Sequence, residues 1–273
     1  MNDDIHLEIK VGKYTFLFSI KVINDFKNEP YQYRILVGDK HLQKCVSINV
    51  DERLRLFLSP EIAHIDSIRY NSGCSFDEKL DSGEDTRFMV NLALVLGKKH
   101  FTYVEHFKLK DDCIFDNGNG MPMSMAHYQL AMYGETWYER HFFAKLQNGH
   151  DIYRVNADKL KENGKPNHDV MFERFIKNKD NDCQSLFTTS STYNDFFQRL
   201  RKLYGNEFCN NTRDWLPDFV NAVIQVRVNT TWIISGRFQD NLNMISYVRR
   251  LNKMPDYPPL QMKGGFSIGD ADF

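Results

Sequence analysis

The chain has 273 residues, with 35 Lys+Arg against 36 Asp+Glu and a formal net charge of −1. Hydrophobic residues make up 42% and charged residues 26%, so a packed core is within reach and wholesale disorder is excluded. Near-neutrality excludes a protein that holds nucleic acid or an anionic membrane by overall charge, leaving only local basic patches.

Five cysteines, Cys45, Cys74, Cys113, Cys183 and Cys209, include no Cys-x-x-Cys pair. They read as reduced thiols rather than a disulfide framework or a zinc site. The start, Asn2-Asp3-Asp4, is acidic and runs straight into alternating residues. The longest purely apolar run, Leu92 to Leu96, is far short of the ~20 residues that span a bilayer. The expectation is a protein of the cytoplasm, host-cell cytoplasm or virion if viral, with no membrane insertion.

Residues 5 to 70 read as a meander of short strands. Alternating or β-rich runs cover Ile5–Val11, Tyr14–Ile23, Tyr31–Val37, Cys45–Val50, Leu54–Leu58 and Ile62–Tyr70, separated by turn residues. From residue 80 the period changes. Met89, Leu92, Ala93 and Leu96 form a helical stripe, and Ser82-Gly-Glu-Asp85 has the capping-box pattern at its start. Gly97 followed by Lys98, Lys99 and His100 predicts the end of that helix.

A strand is predicted over Tyr103–Leu109 and a loop over Asp111–Pro122. A second helix begins near Ser124, with Ala126, Leu130, Tyr133 and Trp137 on one stripe. It either tolerates Gly134, at a cost of ~1 kcal/mol, or breaks there and restarts at the Thr136–Glu139 capping-box pattern. A short strand is predicted over Phe142–Leu146. Further helices are predicted over Val170–Lys177, Tyr193–Tyr204, Trp215–Val223 and Asn241–Leu251, with a strand-like Val226–Ile234. Prolines and glycines from Lys253 onward indicate an extended tail.

The order strand, loop 80–85, helix, strand, loop, helix, strand over residues 62 to 146 resembles the acetyl-CoA-binding half of the GNAT N-acetyltransferases. Leu80-Asp-Ser-Gly-Glu-Asp-Thr-Arg87 stands where that family's loop holds the pyrophosphate, and Thr136-Trp-Tyr-Glu-Arg-His-Phe142 stands where its tyrosine and following phenylalanine lie. The two segments together also resemble a group of poorly characterised proteins of large DNA viruses. The resemblance implies acetyl-CoA as cofactor, bound through Gly83, Glu84, Asp85, Thr86 and Arg87. It also implies Tyr138 as the acid that protonates the departing thiolate, with Asp66 as a base.

The loop departs from the family in its chemistry. A helix N-terminus binds phosphate through unsatisfied N–H groups and its positive dipole end. Here Asp81, Glu84 and Asp85 crowd that position against Arg87 alone. The single Gly83 also offers less close backbone approach than a glycine-rich loop.

Each candidate has a structural alternative. Tyr138 packs beside Trp137 with its hydroxyl bonded, and Asp66 faces solvent. His100 and His106 beside Asp111, Asp112 and Asp116 suggest a cation site, but a solvated acidic loop fits the spacing better. Cys183 with His168 is a conceivable nucleophile pair, against a default of inert buried thiols. Arg199, Arg201, Lys202, Arg249 and Arg250 form a nucleic-acid surface or, more simply, solvated polar faces. Met262-Lys-Gly264-Gly265-Phe266 is similar to the Met-x-Gly-Gly-x cleavage sites of adenovirus-type cysteine proteases.

The resulting expectation is an α+β protein with a GNAT-like mixed, twisted sheet flanked by helices. Its parts are a β-rich region over 1–150, a helical extension over 151–252 and an extended tail over 253–273. The expected function is non-catalytic binding or structure, with protein partners, no cofactor and a place in a virion or its assembly. The alternative is an acetyl-CoA-dependent N-acetyltransferase.

Overall fold

The computed structural model of the chain describes residues 5–11, 14–24, 32–38, 44–51, 63–68, 84–111, 114–115, 123–228, 231–235 and 245–251. It is an α+β fold with a mixed sheet. The described residues fall into two compact units. The first is built from residues up to Leu109 together with those from Ile233 onward, and the second from Lys110–Trp232. Residues 110–150 thus group with the helical part rather than with the β-rich one.

In the first unit, β1 (Ile5–Val11), β2 (Tyr14–Asn24), β3 (Gln32–Gly38), β4 (Lys44–Asp51) and β5 (Ala63–Ile68) follow the alternating runs of the sequence. Each pairs antiparallel with the next. The run Leu54–Leu58 lies outside the described residues. Helix α1 (Glu84–His100) then leads to β6 (His106–Lys110), which pairs parallel to β5. A parallel pair needs a crossover, and α1 supplies it.

The register explains why one face is core. Successive partners form an apolar row Ile5, Ile20, Ile35, Ile48, Ile65 and Leu109 across six strands. A neighbouring row runs Val22, Tyr33, Val50, Ala63 and Phe107. The opposite face carries Lys21, Arg34, Asn49, His64 and Lys108 in one row, with Arg34 Nε donating to Asn49 Oδ1 at 3.1 Å. The next row of that face, Ser19, Leu36 and Ser47, is buried as well, so the alternation of an antiparallel sheet is only partial here. Helix α1 covers the apolar face, packing on β3 and β4 with Met89, Val90, Ala93 and Leu94 buried.

Two sequence expectations are corrected here. Gly97 does not end α1, which continues to His100. Instead it is buried, and a Cβ there would stand 2.7 Å from Ile35 Cδ1, so the glycine serves close approach of helix and sheet. Residues 245–251 are not helical: they form strand β11 (Ile245–Leu251), antiparallel to β1 from His6–Leu251 to Val11–Ile245. The pairing satisfies the outer N–H and C=O groups of β1. That long-range gain outweighs the helical spacing of Ile245, Val248 and Leu251. The tail beyond Leu251, with Gly264 and Gly265, lies outside the described residues.

The second unit opens with a small antiparallel pair, β7 (Ile114–Phe115) against β8 (Met123–Ser124), the first strand inside the predicted loop and the second just after it. Helix α2 (Met125–Tyr133) ends at Gly134, whose φ of 68° and N–H bond to Leu130 O make a left-handed cap. The chain restarts as α3 (Trp137–Phe142) behind a complete Thr136/Glu139 capping box, so the break-and-restart reading holds. Phe142 belongs to α3 and Phe143 is its left-handed cap, leaving only Lys145–Leu146 as β9. Gln147 N–H donates to Thr231 O at 2.9 Å, at the start of β10 (Thr231–Ser235).

Helices α4 (His150–Asp158), α5 (His168–Met171), α6 (Asn181–Thr189), α7 (Tyr193–Tyr204), α8 (Phe208–Thr212) and α9 (Leu216–Ile224) complete the unit. A π-helical turn over Phe172–Ile176 continues α5. Of these, α4, α6 and α8 are additions to the helices expected from the sequence. The core is aromatic: Phe187, Tyr193, Phe196, Phe197 and Phe219 are fully buried. Their rings meet edge-on, for example Phe197 on Phe219 at 5.1 Å and 90°.

Candidate functional site

Helix α1 begins at Glu84, so Glu84, Asp85, Thr86 and Arg87 are its first residues, with Gly83 just outside the described residues. Two carboxylate residues thus sit at the positive end of the helix dipole, where they stabilise the helix and disfavour another anion. Arg87 is exposed. Asp66 lies in β5, where the register steps from Ser47–Ser67 to Ile48–Ile65. It is therefore the residue left without a partner at that step in the register. The β5–β6 ladder carries three pairs, Ala63–Phe107, His64–Lys108 and Ile65–Leu109.

Tyr138 belongs to the second unit. It is 5% exposed and its ring meets Trp137 edge-on at 5.3 Å, as the structural alternative anticipates. Its neighbour Glu139 anchors a buried polar cluster. Glu139 Oε2 accepts from Thr136 N–H at 2.8 Å and from the Tyr153 hydroxyl, while Oε1 accepts from Arg154 at 3.2 Å. Arg154 also reaches Asp158 at 2.6 Å. Burial and the adjacent carboxylate push the Tyr153 hydroxyl far above its ordinary pKa. Burial alone would lower that of Arg154, but Glu139 and Asp158 outweigh it and raise it. These groups fix one another and hold α3 on α4.

Two further polar groups are used in the same way. His127 bridges Ser124 Oγ at 2.8 Å and Asn221 Oδ1 at 3.0 Å. The carbonyl partner requires a proton on Nε2, so Nδ1 accepts from Ser124, and burial holds the ring pKa below its ordinary value. Lys165 donates to Phe187 O and, at 2.6 Å, to Ser190 O, closing the C-terminal end of α6.

The basic residues of α7 are partly engaged. Arg199 approaches Asp195 at 3.9 Å, and the Arg201 guanidinium lies 5.5 Å from the Tyr128 ring centre, while Lys202 is exposed. Arg249 and Arg250 are placed by backbone in β11. Cys183 is a buried free thiol, pushed up to about 11 chiefly by burial, which suits an inert thiol. Among the described residues, no three His, Cys, Asp or Glu side chains are grouped to hold a metal ion. No described helix is long and apolar enough to cross a membrane.

One concave site in the second unit escapes the sequence reading. A groove of about 330 Å³ lies between the end of α2, α3 and the start of α7, lined by Tyr133, Glu135, Arg140, Lys161, Asn194 and Gln198 among others. Helix α7 is tied to α2 by side-chain amides. Asn194 Nδ2 donates to Leu130 O at 2.9 Å and Ala131 O at 2.6 Å, and Gln198 Nε2 donates to Met132 O at 2.7 Å. These bonds satisfy carbonyls that a helix end leaves without partners. Arg140 stacks over Tyr133 at 4.3 Å and donates from Nη2 to Gln129 Oε1 at 3.1 Å. The i, i+4 spacing of Asn194 and Gln198 beside the Phe196–Phe197 stripe was the available signal. No family model matches the chain, and neither a curated protein nor a solved structure is similar enough to match it.

Proposed function

We propose that the chain is a non-catalytic binding or structural protein on a degenerate GNAT-like scaffold. The observation that supports this reading is the start of α1 at Glu84, which makes Glu84 and Asp85 its first residues, the segment to which the resemblance assigns a pyrophosphate. Carboxylates at a helix N-terminus compete with phosphate for the helix amides and repel it. The burial of Tyr138 beside Trp137 supports the same conclusion. The resemblance to proteins of large DNA viruses makes a virion or its assembly the proposed setting, with other proteins as partners. Calorimetric titration with acetyl-CoA tests it: no heat of binding is expected, and micromolar binding lost on Gly83→Trp overturns it.

A second reading, an acetyl-CoA-dependent N-acetyltransferase with Tyr138 as acid, is favoured by one observation. Asp66 is the unpaired residue at a register step beside the end of the three-pair β5–β6 ladder, and β-bulges are over-represented next to active sites. Acetyl transfer to a small amine, lost on Tyr138→Phe and Asp66→Asn, is the result that establishes it.

A further inference from the structure

We infer that the groove between α2, α3 and α7 binds an amino-carboxylate end, that of a free amino acid or of a peptide carboxy terminus. Its carboxylate meets Arg140 and Lys161, and its N–H donor meets Asn194 Oδ1. The inference rests on the reading of the chain as a binding protein and names what it binds.

Asn194 is the starting point. It is 6% exposed, and its amide orientation is fixed because Nδ2 must face the two carbonyls of α2 that it serves. Oδ1 is therefore on the other branch, buried and without a hydrogen-bond partner. A buried acceptor with no donor is costly, and a groove lined by that residue is where a donor can be supplied.

The complementary group stands in the same groove. Arg140 uses Nη2 on Gln129 and its face on Tyr133, but its Nε is buried with no acceptor. Lys161 lines the groove as well, and among the described residues its ammonium is in no ion pair. A residue with one unsatisfied acceptor and two cationic residues thus line one concavity. Gly134 lets Lys161 lie against the end of α2 beside Asn194: a Cβ there would stand 2.4 Å from Lys161 Cε and 3.0 Å from Asn194 Oδ1.

Charge decides between anions. Glu135 lines the groove too, so the site holds one carboxylate residue against two cations. A dianionic phosphate would meet that repulsion, whereas a monoanion bearing its own amine or amide N–H satisfies all four groups. The volume suits a ligand of one or two residues.

The test titrates free alanine, trialanine and trialanine amide into the isotopically labelled full chain, with acetyl-CoA in a parallel sample. Either carboxylate probe is expected to shift the Asn194 side-chain amide and Gly134 resonances, with a dissociation constant of about 1 mM. Binding confined to trialanine identifies a peptide end, and binding of free alanine identifies an amino acid; both support the site. Lys161→Gln, at an exposed position, is expected to weaken binding about fivefold or more with the rest of the spectrum unchanged. Arg140→Gln is expected to do the same. The proposal is overturned if neither carboxylate probe shifts these resonances, or if trialanine amide binds as well as trialanine. Acetyl-CoA binding in the parallel sample overturns the non-catalytic reading and leaves the groove result to stand on its own.

Discussion

Gly97 of α1 lies directly over Ile35 of β3: a Cβ on the glycine would stand 2.7 Å from Ile35 Cδ1 and 3.7 Å from the Phe107 ring. Ile35 is fully buried in the centre of the isoleucine row, so it has little room to retreat.

Gly97→Ala sets two effects against each other. Alanine favours a helix interior by about 1 kcal/mol, while overpacking a close-packed core costs about 1–3 kcal/mol. We expect net destabilisation, larger for Gly97→Val, with partial recovery when Ile35→Val is added. Urea denaturation measures all of these, and a stabilised Gly97→Ala would mean that the helix stands off the sheet.

Glu139 accepts from Thr136, Tyr153 and Arg154 at once. Glu139→Gln replaces an acceptor oxygen by a donor against three donors, and is expected to cost about 2–4 kcal/mol. Tyr153→Phe, which removes one donor and leaves the others paired, is expected to cost about 1 kcal/mol. The double variant is expected to fall short of the sum, because the two share one bond. Strict additivity in a double-mutant cycle would show that they do not interact.

Both His127 and His150 have pKa values held below the ordinary 6.5, in each case first by burial. The unfolded chain therefore takes up protons near 6.5 while the folded chain does not. Their contribution to stability is fully present above that pH and is lost as pH falls through and below it, by up to about 1.4 kcal/mol per pH unit for the buried His127; solvent screening makes the part of the more exposed His150 smaller. Urea midpoints at pH 7.5 and 5.5 are expected to differ in this sense, and by less in His127→Gln. Equal slopes in the variant and the parent would show that His127 protonates freely in the folded chain.

Much of the first unit is legible in the sequence because its strands alternate cleanly, so period alone fixes β1 to β5. In the second unit, local chemistry at Gly134 and Thr136 marks the break between α2 and α3. Helix α4 is concealed because its buried positions include Tyr153, Asn156 and Ala157, while Ile152 and Val155 are exposed at 63% and 67%. An apolar count thus points to the wrong face. Strand β11 is concealed because its partner is near the other end of the sequence. Of the site, the capping box could be read locally, but the open valences of Arg140 and Asn194 arise from contacts between helices, which no spacing records.

The pairing of β1 with β11 also has a meaning for a chain that emerges from the ribosome in order. Strand β1 is the first described strand to appear and β11 the last, and all of α2 to α9 is made in between. The nascent β meander must therefore wait, one backbone edge open, through the synthesis of a whole helical unit. An edge left open in that way recruits stray strands. Shielding of the nascent chain matters most in that interval, and truncation just before residue 245 should yield aggregates rather than a smaller soluble protein.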